Sequence, residues 1–176
     1  MSFLRRRRKP NMDGVNLLMT LLLCYPEIGT VTFDPAKGET LQMSFALKRR
    51  PEDEESGKFG RFLTESINTY HSLLHLPEGK LNITVEGNGT AAILGIKRDM
   101  ATISRGEIKL IATLVRETFG DDLITDPDME KNLPDEATRL AHEENIDNIL
   151  GSVRFGVISE TLVGYREAGR VMVYNK

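Results

Sequence analysis

Residues 81–120, LNITVEGNGTAAILGIKRDMATISRGEIKLIATLVRETFG, read as a β-hairpin followed by a helix. Apolar and polar residues alternate on both sides of Asn88-Gly89, the dipeptide most typical of a tight hairpin turn. Ser104 followed by Glu107 forms a capping box, which predicts the start of a helix. Gly120 comes directly after the last apolar position of the helical pattern and predicts its end. The stretch therefore predicts one β-β-α unit.

The preceding segment, residues 28–77, has the same order of parts. Val31 and Phe33 alternate with threonines, a turn rich in Pro and Gly covers 34–38, and alternation resumes over 40–47. Apolar residues then recur at helical spacing before Pro77. The fold class predicted is α+β: duplicated β-β-α units form a mainly antiparallel four-stranded sheet with two helices on one face.

The two units share an echo, FALKRR at 45–50 and LGIKRD at 94–99. Each stretch closes the second strand of its unit. The first helix returns the chain along the sheet, so strand three is expected to run parallel to strand two and strand four opposite to it. Lys48-Arg49 and Lys97-Arg98 are then predicted to lie at opposite ends of the sheet, where each pair leaves the core for water.

The N-terminus, residues 1–14, is interpreted as a basic flexible arm, and 15–24 as a short apolar helix capped by Asn11 or Asp13. Arginines followed by an apolar run also resemble a signal peptide. However, the polar residues 10–14 interrupt it and no small-residue cleavage site follows. The apolar run is too short to span a bilayer as a helix. A membrane tether using residues 1–24 stays open as an alternative.

The rest of the chain divides into three further parts. Residues 15–120 form the predicted core domain, 121–135 an acidic linker, and 136–176 an appendage of one helix and a β-hairpin with a loop at 167–169. An unpaired hairpin this apolar is an aggregation hazard. It is therefore expected to pack within the monomer or to form a homodimer through the same hairpin.

Charge is strongly segregated although the net charge is only −3. Residues 1–50 hold nine Lys and Arg against four Asp and Glu, whereas 121–147 hold two against ten. Concentrated positive charge favours an acidic partner such as RNA, DNA or protein, and Tyr165 and Tyr174 either stack on such a partner or pack inward. The alternative is that the arm and strand ends are only solvated. The candidate partner-binding residues are Arg5, Arg6, Arg7, Arg8, Lys9, Lys48, Arg49, Lys97 and Arg98.

Metal and catalytic signals are weak. His71 and His75 are spaced to share a helix face, but two imidazoles do not make a metal site. The acidic residues after Asp121 fail the EF-hand spacing, and the glycines at 87 and 89 fail the phosphate-loop spacing. No cofactor and no arrangement of nucleophile and base is indicated.

The sequence therefore favours a non-enzymatic binding or assembly protein whose basic arm contacts an acidic partner. Its single Cys24 is typical of a reducing cytoplasm. The rival is a small enzyme or ligand-binding protein. Its pocket would lie between the sheet and the terminal hairpin and would be lined by Thr30, Thr32, Gln42 and Ser44.

Overall fold

The computed structural model describes residues 11–36, 38–156 and 158–176. In chain order the elements are α1 (Met12–Cys24), β1 (Thr30–Asp34), β2 (Thr40–Leu47), α2 (Asp53–Leu73), β3 (Leu81–Asn88), β4 (Ala91–Asp99) and α3 (Arg105–Phe119). A 3-10 turn (Gly120–Asp122) leads to α4 (Met129–Asn132), α5 (Glu136–Glu144), α6 (Ile146–Phe155), β5 (Leu162–Glu167) and β6 (Arg170–Asn175). The fold is α+β, as predicted.

The strands form one six-stranded antiparallel sheet in the order β3-β4-β2-β1-β5-β6. The prediction of four strands is wrong because the C-terminal hairpin pairs with the free edge of β1, with Phe33 opposite Leu162 and Thr30 opposite Tyr165. Alternation along a hairpin predicts two strands but carries no information about which distant edge they join.

The two β-β-α segments are present in the predicted order, but they are not equal copies. β1 has five residues and lies inside the sheet, whereas β3 has eight and forms an edge. The segments meet through β2 and β4, with Phe45 opposite Leu94, so the echoed stretches share one paired position and run from it toward opposite ends of the sheet. β3 runs in the direction of β2, as expected.

One face of the sheet carries the hydrophobic core. Alternate residues of β2, from Leu41 to Leu47, are fully buried there. α1 packs across β1, β5 and β6, whereas α2 packs against β3 and α3. The apolar face of α1, from Leu17 to Leu22, has no exposed surface. Residues 15–24 are therefore an internal helix, and none of the described helices is long and apolar enough to cross a membrane.

The ends of α1 are held by side chains. Asn11 Oδ1 accepts hydrogen bonds from the backbone of Asp13 and Gly14, so Asn11 is the N-cap and the helix begins within the predicted arm. At the other end, Arg166 of β5 donates to the carbonyls of Leu22, Tyr25, Pro26 and Ile28. One guanidinium thus ties the hairpin to the last turn of α1 and to the loop that follows it.

Two local predictions in the tail need correction. The expected third helix is divided at Asn145 into α5 and α6, and Leu140 is exposed. The terminal hairpin has a two-residue loop, not three: Ala168 and Gly169 have φ of 49° and 73°, as in a type I′ turn. Asp126 Oδ2 accepts a hydrogen bond from Gly169 N at 2.7 Å, so the acidic linker holds this turn.

Candidate functional site

The face opposite the helices, called the open face below, is a continuous sheet surface with a regular pattern of side chains. Two rows of side chains cross all six strands in register, a width of roughly 24 Å at the usual strand spacing. Nearly all members of the two rows are uncharged, and most of them are half-buried or exposed. The first row is Asn82, Lys97, Gln42, Thr32, Val163 and Tyr174; the second is Thr84, Gly95, Ser44, Thr30, Tyr165 and Met172.

Lys97 is the one charged member of these rows. It stands between Gln42 and Asn82, and it has no ion pair within 4 Å among the described residues. Next to it, Thr84 and Gln42 lean over Gly95, where an added Cβ would lie 2.7 Å from Thr84 Oγ1. The middle of the open face is therefore rich in hydrogen-bonding groups and carries one positive charge.

Two tyrosines lie at the hairpin side of the open face. The rings of Tyr165 and Tyr174 meet edge to face with centroids 5.8 Å apart, and Tyr174 is 48% exposed. They belong to the face that the helices do not cover, so the inward packing considered above does not occur. Their flat surfaces remain partly accessible to a partner.

A cleft of about 500 Å³ opens where β2, β3 and β4 meet the loops at Gly38 and Gly79. Lys97, Thr40 and Asn82 join it to the open face, and Lys80 lies on its rim. Lys80, like Lys97, has no ion pair among the described residues. The carboxylates of Glu78 and Asp99 also line the cleft, and Asp99 is paired with Arg98, so the cleft presents two ammonium groups and one carboxylate that form no ion pair among the described residues.

Beneath this cleft lies a buried charge network that joins three elements. Arg98 of β4, Glu107 of α3 and His71 of α2 are 1%, 0% and 4% exposed. Glu107 Oε2 accepts from Arg98 Nη2 at 2.9 Å and lies 2.7 Å from His71 Nε2, while Arg98 Nε donates to Glu107 Oε1. A buried pair in this geometry replaces the lost hydration with direct hydrogen bonds.

The same guanidinium also holds the loop before β3. Arg98 donates to the carbonyl of Lys80, to Asp99 and to Thr102. It lies so close to Gly79 that a side chain at position 79 would overlap it. Burial by itself lowers the pKa of Arg98, but its hydrogen bonds and charge interactions with Glu107 and Asp99 raise that pKa overall. The network therefore links the cleft floor to α2, α3 and the loop before β3.

The other predicted partner-binding cations make contacts within the protein or lie outside the described residues. Lys48 and Arg49 lie at the opposite end of the sheet from Lys97 and Arg98, as predicted. Arg49 forms a bidentate ion pair with Glu55 and a second pair with Asp122, and Lys48 Nζ donates to Asp121 O at 3.1 Å. These two residues fasten the start of the acidic linker.

Arg98 does not leave the core for water, because its guanidinium is committed to internal partners. Of the four predicted cations that the structure describes, Arg49 and Arg98 pair with carboxylates and Lys48 donates to a backbone carbonyl, whereas Lys97 has neither kind of partner among the described residues. The remaining candidates, Arg5, Arg6, Arg7, Arg8 and Lys9, lie outside the described residues.

The histidine pair is not formed. α2 ends at Leu73, so His75 lies beyond it with a φ of 54° and is exposed, whereas His71 is buried against Glu107. No group of three or more potential metal ligands occurs among the described residues.

The pocket expected between the sheet and the hairpin is also not formed within the described chain. The hairpin extends the sheet in its own plane, so Thr30, Thr32, Gln42 and Ser44 belong to the uncovered face.

Two members of the buried network, His71 and Glu107, could have been found from helical spacing. His71 continues the buried series Phe59, Leu63, Ile67 at intervals of four, and Glu107 stands four residues before Ile111. The capping-box interpretation was half right: Ser104 Oγ accepts from Glu107 N at 3.4 Å, but the Glu107 carboxylate binds Arg98 and His71.

Comparison of the chain with protein-family models, with curated proteins and with solved structures finds no match.

Proposed function

We propose that the protein is a non-enzymatic, cytoplasmic binding module whose open face receives single-stranded nucleic acid. The basic arm of residues 5–9 is a second contact in this proposal. The observation that carries it is the uncovered face itself, in which two full rows of mostly hydroxyl, amide and aromatic side chains surround the single charge of Lys97. Open sheets that bind single strands use this combination of stacking rings and hydrogen-bonding groups.

The charge layout supports nucleic acid over an acidic protein. Lys97 and Lys80 are placed where the open face meets the cleft, as a phosphate contact requires. The accessible ring of Tyr174 lies in the same row on the hairpin side of the sheet. In this proposal a base of the bound strand stacks on it. A polar face with unpaired amides offers more hydrogen-bonding partners to base edges than to aliphatic side chains.

Fluorescence anisotropy with labelled single-stranded RNA and DNA at several salt concentrations tests the proposal. Lys97→Gln is expected to weaken binding several-fold and to reduce the salt slope by about one. Tyr174→Ala is expected to weaken binding by about 1–3 kcal/mol with little change in that slope. Lys58→Gln is the matched control, because Lys58 pairs with Glu54 on the exposed side of α2.

Three outcomes contradict the proposal in different ways. If deleting residues 1–10 abolishes binding while Lys97→Gln and Tyr174→Ala leave it intact, the arm acts alone. If poly-glutamate binds as tightly as RNA, the partner is an acidic polypeptide. No binding to either at low salt rejects the acidic partner altogether.

We also propose a homodimer through the C-terminal hairpin, supported by the position of β6 at the sheet edge. The register and the Lys176 N to Thr161 O bond direct the backbone groups of Met172 and Tyr174 toward β5, and those of Val173 away from it. Val173→Pro therefore removes an outward N–H while sparing the β5 ladder. Sedimentation equilibrium is expected to give a dimer for the wild type and a monomer for this variant; a wild-type monomer at all concentrations rejects the dimer.

A further inference from the structure

A second cleft, of about 410 Å³, lies on the helical side of the molecule, away from the open face. Its walls are the end of α1 with the loop that follows, one face of α3, and α5. Tyr25 belongs to the first wall, Lys109 and Arg116 to the second, and Arg139 and Glu143 to the third. Its volume is within the range of sites for small molecules.

Most charges of this cleft are paired. Arg116 Nη1 lies 2.9 Å from Glu27 Oε1, and Lys109 Nζ lies 3.1 Å from Glu143 Oε1. Arg139 is different, because its nearest carboxylate atom among the described residues is Glu143 Oε2 at 3.8 Å, beyond hydrogen-bond distance. The cleft therefore has one guanidinium without a hydrogen-bonded carboxylate.

Glu143 is the complementary group. It is 95% buried, its Oε1 accepts a hydrogen bond from Tyr25 Oη at 3.4 Å and forms an ion pair with Lys109, and its Oε2 has no donor among the described residues. A buried carboxylate oxygen without a donor is destabilising, so such atoms are rare in folded proteins. Burial, reinforced by the Glu143 charge, raises the pKa of the neighbouring Cys24 thiol to about 11, so the thiol stays neutral beside these ions.

From this pairing we infer that the cleft binds a small zwitterion of the α-amino acid class. The ligand ammonium donates to Glu143 Oε2, and the ligand carboxylate binds the Arg139 guanidinium. Arg139, whose side chain is 36% exposed, lies next to the otherwise covered Oε2 and turns toward the ligand carboxylate as the ammonium enters. A ligand with both charges satisfies both groups, whereas an anion or an amine alone satisfies only one.

Isothermal titration calorimetry on the full chain with each of the common L-amino acids tests this inference, with acetate and methylamine as single-charge probes. At least one amino acid is expected to bind, and both single-charge probes are expected to bind more weakly by about tenfold or more. Glu143→Gln and Arg139→Gln are each expected to weaken the amino acid by about tenfold or more. Arg170→Gln, on the distant hairpin turn, is the control and is expected to change nothing.

Circular dichroism of each variant shows whether it is folded, and Arg139→Gln, at a partly exposed position, serves if Glu143→Gln does not fold. The inference is overturned if no amino acid binds. It is equally overturned if acetate binds as tightly as the best amino acid, or if Arg139→Gln leaves the affinity unchanged. Because the open face is remote from this cleft, these results are independent of nucleic-acid binding.

Discussion

At the scale of single residues, the buried pair of Arg98 and Glu107 is the interaction whose loss is expected to matter most. Arg98→Met removes the cation and leaves a carboxylate with no exposed surface beside His71. The expected loss is about 3–5 kcal/mol in the free energy of unfolding. Lys97→Met, one position away on the open face, is expected to change it by less than about 0.5 kcal/mol. Urea denaturation compares the two, and equal effects would show that the network contributes nothing.

Asp99 is expected to make the free energy of unfolding decrease at acidic pH. Burial alone raises its pKa, but hydrogen bonds from Thr102 and the Lys80 amide, with the charge of Arg98, lower it below the ordinary aspartate value. A carboxylate whose pKa is lower in the folded than in the unfolded state stabilises the fold at pH values above its unfolded pKa. That stabilisation is lost as the pH falls through the pKa of the folded state. Between neutral pH and pH about 3, Asp99→Asn is therefore expected to lose less stability than the wild type. Urea midpoints measured against pH, with Glu117→Gln as a surface control, check it; parallel curves would contradict it.

The sequence was informative about residues on regular apolar stripes and uninformative about buried charges. Leu41 and Leu94 were placed correctly, because period-two alternation reports the two faces of a strand. Arg98 was misplaced because it continues the same alternation as Ile96, and a charge in that position reads as a strand end. What makes its burial possible is Glu107, which is brought to it only by the packing of α3 on β4.

At the scale of elements, the turn between β5 and β6 has a residue that is not the preferred one for its backbone conformation. Ala168 has a φ of 49° at the first central position of a type I′ turn, which is unfavourable for a residue with an ordinary Cβ. Ala168→Asn creates Asn-Gly, the preferred pair for this turn, and is expected to stabilise the protein by about 1 kcal/mol. Thermal unfolding measures the gain; Ala36→Asn, in the turn before β2, is the comparison and is expected to have no such effect. A lower melting temperature for Ala168→Asn would contradict the turn assignment.

Most element types were predictable, whereas the partner strands were not. Helix starts at Ser104 and Asn11 follow from local capping chemistry, so nearby residues suffice. The pairing of β1 with β5 joins residues more than a hundred positions apart, and both edges of the predicted sheet were equally open to a hairpin. The open face followed from alternation, but its full width depends on this pairing.

At the scale of the whole molecule, the C-terminal hairpin is expected to be essential to the fold. Truncation after Glu160 removes β5 and β6 and leaves one edge of β1 and part of the apolar surface of α1 uncovered. The shortened chain is expected to lose cooperative unfolding and to bind a hydrophobic dye. Far-ultraviolet circular dichroism and urea titration test this. A truncated chain that unfolds as sharply as the wild type would identify residues 136–176 as an appendage.

The contact between α1 and β5 joins a helix that is synthesised early to a strand that is synthesised late. α1 ends at Cys24 and β5 begins at Leu162, yet Arg166 closes the end of that helix, and a Cβ added at Gly164 would lie 3.2 Å from Leu18 Cβ. A ribosome therefore releases the most apolar helix of the described chain long before it releases the strand that covers it. Until then the leucines of α1 and one edge of β1 have no native cover, which is the condition in which nascent chains need chaperones. The folding yield of this protein is therefore expected to depend on synthesis speed and chaperone supply. This dependence is expected to be stronger than in a protein of equal size whose contacts join residues that are close in sequence.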